Sequence, residues 1–134
     1  MPMVIVDSTV WINYLRGSDN PQVNWLVREM RRRRLGLTDL ILCEVLQGMR
    51  EPAVFVEIRD EFLRRFDVFD TGGADMAVAA AQNYRTLRER GHTVRKTIDC
   101  VIATFCLRTG YELLHCDRDF DVFENLLGLR VVHA

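Results

Sequence analysis

Several acidic residues stand in stretches of sequence that otherwise favour burial, and carboxylates in such places can do chemistry. They are Asp7, Glu44, Asp99, Asp117 and Asp119. Asp7 directly follows the apolar run 3–6, and Asp99 stands near the head of the apolar run 97–106. Glu44 is the only charged residue between Leu40 and Met49, and a lone carboxylate among such apolar side chains is costly to desolvate unless it has a charged partner or a metal ion.

Each acid also has a structural explanation when it is considered alone. Asp7 could cap the helix that follows it, and Asp99 could complement the dipole of its own helix. Glu44 could form a salt bridge with Arg16 or Arg50. Asp117 and Asp119 could simply belong to a solvated turn. The sequence leaves these explanations open for the single residues.

Considered together, the acids indicate a site for a hard divalent cation. Ligands bind at the carboxyl ends of strands in open parallel sheets, and Asp7 and Asp117 each follow a predicted strand. Carboxylates that converge there repel one another unless a cation neutralises them. A donor set made only of oxygen favours Mg²⁺ or Mn²⁺ over Zn²⁺. Such ions bind substrate phosphates, so the expected chemistry is phosphoryl transfer to a metal-activated water.

Strands and helices alternate along the chain and predict the scaffold that holds these acids. The predicted strands are 3–6, 35–38, 66–70, 111–116 and 129–133. Helical patterns fill the segments between them, with a short helical turn before the last strand, and the predicted caps are Ser8 or Thr9, Asn20, Thr38 and Thr97. This alternation predicts a three-layer α/β/α sandwich with a central parallel sheet of four to five strands.

Length and composition favour a single domain over residues 1–134 in the cytoplasm. With 49% hydrophobic residues, the chain can bury a core without disulfides, and its four cysteines form no C-x-x-C pair. The net charge of -1 means that any contact with nucleic acid needs a local basic patch. No apolar run approaches the roughly 20 residues that cross a bilayer, and the start MPMVIVD does not resemble a secretory signal. We therefore expect no membrane partner.

Two basic segments are candidates for such a patch. Arg95 and Lys96 precede the acid-bearing helix directly, which favours contact with a phosphate near the ion. Arg31–Arg34 could follow a phosphate backbone, but a basic run at a helix end more often forms a solvated face that complements the helix dipole. Trp11 and Trp25 have aliphatic neighbours at helical spacing, which favours core or subunit packing over base stacking.

Four fragments resemble the PIN domain, and in particular the VapC ribonuclease toxins of prokaryotic toxin–antitoxin pairs. In chain order they are VIVDSTVWINYLRG, TDLILCEVLQG, TIDCVIATFCL and LLHCDRDFD. The resemblance covers essentially the whole chain. It implies that the metal-coordinating acids are Asp7, Glu44, Asp99 and Asp117, with Asp119 as the additional acid found in many members.

The resemblance also implies a reaction and partners. The expected activity is endonucleolytic cleavage of RNA, often tRNA or ribosomal RNA, with Mg²⁺ or Mn²⁺ as cofactor and a 5′-phosphate as product. Asp7, Asp99 and Asp117 would hold the ion directly or through water, and Glu44 would complete the pocket and accept a proton from the attacking water. The expected assembly is a homodimer that joins a cognate VapB-type antitoxin in a heterotetramer or larger complex.

Two other interpretations remain. The chain could be a catalytically silent PIN scaffold that binds RNA or an antitoxin. It could also be a receiver-type signalling module with Asp70 as the phosphoacceptor. Receivers need an acidic pair after the first strand and a lysine after the fifth, whereas Asp7 is flanked by Val6 and Ser8 and the single lysine is Lys96. This pattern favours the nuclease.

Overall fold

A computed structural model describes residues 2–134 and shows a parallel sheet surrounded by helices. The strands within this range are β1 (Val4–Val6), β2 (Leu35–Thr38), β3 (Asp67–Phe69) and β4 (Glu112–Leu114). The helices are α1 (Ser8–Leu15), α2 (Pro21–Glu29), α3 (Asp39–Gln47), α4 (Pro52–Arg65), α5 (Gly73–Glu89), α6 (Thr97–Thr109) and α7 (Asp121–Leu127), with a 3-10 helix at Arg118–Phe120. β1 and β2 are buried along their whole length, which requires cover on both faces of the sheet. The predicted α/β sandwich with a parallel central sheet is confirmed.

The order of the strands explains why acids from distant segments meet. The sheet runs β3-β2-β1-β4, and all three pairings are parallel. β2 and β3 lie on one side of β1, and β4, which comes later in the sequence, lies on its other side. The carboxyl ends of β1 and β4 are therefore the topological switch point, where ligands bind in open α/β sheets. Val6 lies opposite Leu114, so the residues that follow them start at one edge.

Capping residues fix the starts of two helices as predicted. Asn20 Oδ1 accepts a hydrogen bond from the backbone N–H of Val23 (2.8 Å), and Pro21 follows at the first position of α2. The side-chain Oγ1 of Thr38 accepts a hydrogen bond from the backbone N–H of Ile41 (3.2 Å). Each contact satisfies a backbone donor that has no partner inside the helix.

Two predicted caps are wrong by one residue. Asp7, which the sequence also allowed as a cap, caps α1 in place of Ser8 or Thr9, and its carboxylate accepts a hydrogen bond from the backbone N–H of Thr9. Thr97 is the first residue of α6, and Lys96 holds the cap position without a side-chain hydrogen bond. This difference places Asp99 at the third position of α6.

The predicted fifth strand, residues 129–133, does not form as a regular element. Val131 makes a single parallel bridge to Leu113, supported by hydrogen bonds from Leu113 to Arg130 (2.8 Å) and from Val132 to Leu113 (3.0 Å). β4 spans only three residues, and the last segment pairs with just one of them, Leu113. The sheet therefore has the lower of the two predicted numbers of strands over the described range.

The tryptophans belong to the core, which confirms their predicted packing role. Trp11 is fully buried, and its ring lies 4.8 Å from the ring centroids of both Phe62 and Phe66. Trp25 is also buried and packs beneath the guanidinium of Arg33, 5.6 Å from the ring centroid. Neither indole is accessible for stacking on a base.

Half of the basic run 31–34 is engaged in structure. Arg33 pairs with Glu112 (3.0 Å) and Arg34 with Asp67 (2.9 Å). The run follows the end of α2 at Glu29 and does not extend the helix. Glu112 lies in β4 and Asp67 in β3, so these pairs tie the segment before β2 to both edge strands of the sheet and favour the structural interpretation of the run.

Two expectations from composition can be compared with the structure. All four cysteines are free thiols, with Cys43 and Cys116 exposed and the other two buried. Across residues 2–134, no helix is long and apolar enough to traverse a bilayer.

Candidate metal centre

The acids singled out in the sequence lie around the carboxyl ends of β1 and β4. Asp7 follows β1, and its backbone N–H donates to the carbonyl of Leu114 (2.9 Å). Asp117 lies just beyond β4, and Asp99 lies in the first turn of α6. Three carboxylate oxygens, one from each of Asp99, Asp117 and Asp119, lie within 4.8 Å of one another. This spacing allows the three side chains to share one ion.

Asp7 has one engaged and one free carboxylate oxygen. Its Oδ2 accepts hydrogen bonds from the hydroxyl of Thr9 (2.7 Å) and from the Thr9 backbone N–H (3.2 Å), which caps α1. Its Oδ1 is buried and has no hydrogen-bond partner among residues 2–134. Burial raises the pKa of Asp7, while the Thr9 hydrogen bonds oppose that rise. The capping role and a ligand role are therefore compatible in one side chain.

Asp99 is a buried acid whose pKa is strongly raised. Its side chain is 6% exposed, and its Oδ2 is buried without a hydrogen-bond partner in the described chain. Burial raises the pKa of Asp99 to about 7, and the negative charge of Asp7 acts in the same direction, as do those of Asp117 and Glu44. The ammonium group of Lys96 opposes them. A helix dipole alone would have lowered this pKa, so the buried acid environment dominates.

Glu44 reaches the same region from α3. It is partly buried, and its Oε1 accepts a hydrogen bond from the hydroxyl of Ser8 (3.1 Å). Burial, followed by the charge of Asp7, raises the pKa of Glu44. Within the part of the chain that the structure describes, Glu44 forms no ion pair with Arg16 or Arg50. The salt-bridge explanation of Glu44 is therefore not supported.

Asp117 and Asp119 are positioned by the turn that leads into the 3-10 helix. Asp117 Oδ1 accepts the backbone N–H of Asp119 (2.9 Å), and the Asp117 N–H donates to Nδ1 of His115 (3.1 Å). Lys96 Nζ lies 3.7 Å from Asp117 Oδ2, and Arg95 Nε lies 3.6 Å from Asp119 Oδ2. Both cations are largely exposed, so they compensate these acids weakly.

The arrangement fits a hard divalent cation. Buried oxygens of Asp7 and Asp99 lack partners in residues 2–134, and buried polar atoms are normally satisfied. The clustered donors are carboxylate oxygens, the ligands that Mg²⁺ and Mn²⁺ prefer. Asp7 and Glu44 lie outside the 4.8 Å group, but their charges raise the pKa of Asp99. The site therefore combines a tight group of acids with two acids around it.

Sequence reasoning did not foresee the contacts that hold the acids in place. The Thr9 hydroxyl donates to Asp7 and also accepts the backbone N–H of Cys116 (3.1 Å), which links the segments after β1 and β4. The ring Nδ1 of His115 accepts the backbone N–H of Asp117, and His115 lies just beyond β4 instead of within the predicted strand. The adjacent hydroxyls of Ser8 and Thr9 were the only sequence feature that pointed to these contacts. Their partners, Glu44 and Cys116, lie 36 and 107 residues away in the sequence.

The receiver interpretation does not agree with the topology. Asp70 is exposed and follows β3, which is the edge strand of the order β3-β2-β1-β4. Two strand positions separate β3 from β1 and three separate it from β4. A phosphoacceptor has to lie among the metal-binding acids, and Asp70 is absent from the group formed by Asp99, Asp117 and Asp119.

Solved structures with similar folds include a VapBC complex and a VapC toxin. The structure of VapBC2 from Rickettsia felis bound to a DNA fragment of its promoter aligns with a TM-score of 0.76 at 14% identity and covers 97% of each chain. The structure of Mycobacterium tuberculosis VapC20, described as a toxin that cleaves the sarcin-ricin loop, aligns with a TM-score of 0.64 at 14% identity, over 89% of this chain and 93% of that one. At these identities, the two structures support the fold.

Sequence comparison gives the family. VapC ribonuclease Mb1587 of Mycobacterium bovis and ribonuclease VapC11 of Mycobacterium tuberculosis are each 28% identical to this chain over 131 residues, which is 96% of both proteins compared. The family model of the PIN domain matches residues 4–126. That match includes every acid of the candidate site, from β1 to the turn after β4. The chain belongs to the PIN domain family, as its sequence fragments predicted.

Proposed function

We propose that this protein is the toxin of a toxin–antitoxin pair and that it hydrolyses phosphodiester bonds of RNA with a divalent cation. The observation that carries the proposal is the group of Asp99, Asp117 and Asp119, whose oxygens lie within 4.8 Å of one another at the switch point of a PIN domain. The relatives named as VapC ribonucleases support it. We further propose that the 134 residues act as one domain.

The ion would be Mg²⁺, with Mn²⁺ as the alternative. When bound, it would neutralise charge on the substrate phosphate and lower the pKa of a coordinated water. Asp99 and Asp117 would contact it, with Asp7 and Asp119 completing its charge neutralisation directly or through water. The free Oδ1 of Asp7 and the free Oδ2 of Asp99 support this assignment.

Other residues of the chain would orient the reaction. Glu44 would receive the proton of the attacking water, because its raised pKa makes it a better acceptor at neutral pH than an ordinary carboxylate. The Ser8 hydroxyl holds one of its oxygens and leaves the other to act. Lys96 Nζ lies 3.7 Å from Asp117 Oδ2 and would contact the substrate phosphate near the ion.

The partners follow from the relatives. Solved complexes of VapB with VapC support a cognate VapB-type antitoxin. We further propose that this chain forms a homodimer, which joins the antitoxin in a heterotetramer or larger assembly. An arginine of the antitoxin could pair with the clustered acids in place of the ion, since a guanidinium fork binds carboxylates well. Antitoxin and metal would then compete for the same site.

We propose a cytoplasmic location, where tRNA and ribosomal RNA are present.

Mapping RNA ends tests the function directly. Purified wild-type protein with Mg²⁺ should create new RNA ends with 5′-phosphates, and excess EDTA should abolish them. Asp7→Asn should lose cleavage because it keeps the cap but removes the charge of the buried oxygen. Asp70→Asn is the matched control, since Asp70 is exposed beyond β3. Cleavage by Asp7→Asn at the wild-type rate would contradict the assignment, and intact RNA with wild-type protein would favour a silent scaffold.

A further inference from the structure

A groove leads from the acidic site across the segment between α5 and α6. It consists of two depressions of about 280 and 430 Å³ that share His92, Arg118 and Val122. Arg95 and Asp119 also line the smaller depression. Because Asp119 is one of the clustered acids, this loop groove begins at the candidate metal centre and continues away from it.

Arg118 is the central cation of the loop groove. It is exposed and lines both depressions. In the described range, 2–134, its guanidinium forms no ion pair with an acid. A guanidinium can donate two parallel hydrogen bonds to the oxygens of a phosphate, and its charge is independent of pH in the physiological range.

Arg95 lies where the loop groove meets the acids. Its Nε is 3.6 Å from Asp119 Oδ2, and 75% of its side chain is exposed. Such an exposed pair contributes little, so Arg95 can exchange the carboxylate for a phosphate at small cost. The exposed Asp121 lines the larger depression and disfavours an anion there. The favourable charges therefore concentrate on the side nearest to the metal centre.

We propose that the loop groove binds the backbone of single-stranded RNA, with Arg95 and Arg118 each contacting a phosphate beside the one that is cleaved. This proposal rests on the proposed function, because a strand whose scissile phosphate lies among the acids must extend beyond them. Phosphate contacts carry no base information. The groove therefore strengthens binding of all sequences alike and determines how many nucleotides beside the cut contribute to affinity.

Binding of single-stranded RNA as a function of salt tests the proposal. All proteins carry Asp7→Asn so that the RNA stays intact. Adding Arg118→Ala should weaken binding roughly tenfold for every sequence and lower the slope of log K against log salt by about 0.7. Combining it with Arg95→Ala should lower the slope by about 1.4. Asp121→Asn should tighten binding, because it removes a repulsive charge from the larger depression.

Arg108→Ala is the matched control, because Arg108 is exposed near the opposite end of α6 from the acids. If Arg118→Ala and Arg108→Ala have equal RNA affinities and equal salt slopes, the proposal that the loop groove binds RNA is wrong. Cleavage by otherwise wild-type protein in the same study would show that the proposed function survives that result. Loss of antitoxin binding in Arg118→Ala, with RNA affinity unchanged, would also overturn the proposal and identify a protein contact.

Discussion

The carboxylates of α4 and those at the carboxyl ends of β1 and β4 are held in opposite ways. On α4, Glu61 pairs with Arg64 and Arg65, and the hydrogen bond from Arg65 lowers the pKa of Glu61. In the acidic site, burial raises the pKa of Asp99 to about 7, and the charge of Asp7 adds to that effect. The negative charge of Glu61 is therefore neutralised by arginines of its own helix, whereas the acids around Asp99 lack enough positive charge nearby. A cation from solution can supply the missing positive charge at the carboxyl ends of β1 and β4.

The largest expected difference between the acidic site and α4 is in the rate of RNA cleavage. Asp99→Asn should reduce RNA cleavage by more than about 100-fold, because it removes a proposed ligand without changing side-chain shape. Glu61→Gln, the matched change on α4, should cleave RNA at the wild-type rate. Initial rates of cleavage at saturating Mg²⁺ measure both. Similar losses in the two variants would mean that the acidic site has no special role.

A smaller effect should appear in the stability of the metal-free protein as pH changes. Folded Asp99 keeps its proton up to a pKa of about 7, whereas the unfolded chain loses it near the ordinary value of 3.8. The folded state thus binds more protons between these values, so its contribution to stability is complete at acidic pH and is lost as pH rises towards 7. Asp99→Asn should remove that loss, so its free energy of unfolding at pH 7 should exceed that of the wild type by on the order of 4 kcal/mol.

Urea unfolding in EDTA at several pH values measures this difference. The advantage of Asp99→Asn should grow from pH 5 to pH 7. A constant difference over that range would show that Asp99 is already ionised throughout, and the contrast with α4 would then disappear.

The smallest effect concerns α4 itself. Because the pKa of Glu61 is lowered by its arginines, its contribution to stability is present above the ordinary value of 4.5 and is lost as pH falls through the lowered value. Glu61→Gln should therefore lower the thermal midpoint slightly at pH 7 and not at all at strongly acidic pH. The pair is exposed, so the change should be close to the error of the measurement. A clear change in the opposite direction at pH 7 would contradict the comparison.

The sequence predicted the elements whose signals are local. Asn20 and Thr38 act as caps because a side-chain oxygen needs only a backbone donor three residues later. The strand before Asp7 could be predicted because a short apolar run at the start of a βα unit is typical of a buried parallel strand. The last predicted strand is reduced to one bridge between Val131 and Leu113, and such pairing depends on a partner segment that its own residues do not specify.

The positions of the acids could be predicted better than their environment. Asp7 was expected to act either as a cap or as a ligand, and the two oxygens of one carboxylate allow both. The contacts from Ser8 to Glu44 and from Lys96 to Asp117 join segments that only the sheet order brings together. The ion pairs of the arginine run could not be predicted for the same reason, since the partner of Arg33 is 79 residues away in the sequence.

Calorimetric titration of Mn²⁺ into chelator-treated protein at pH 7 tests most directly whether these acids share a cation. Wild-type protein should bind the ion and release protons, because Asp99 with a pKa of about 7 gives up its proton to become a ligand. Asp99→Asn should bind at least about tenfold more weakly and release fewer protons, whereas Glu61→Gln should match wild type. Equal Mn²⁺ affinity in wild type and Asp99→Asn would contradict a shared metal centre at the ends of β1 and β4.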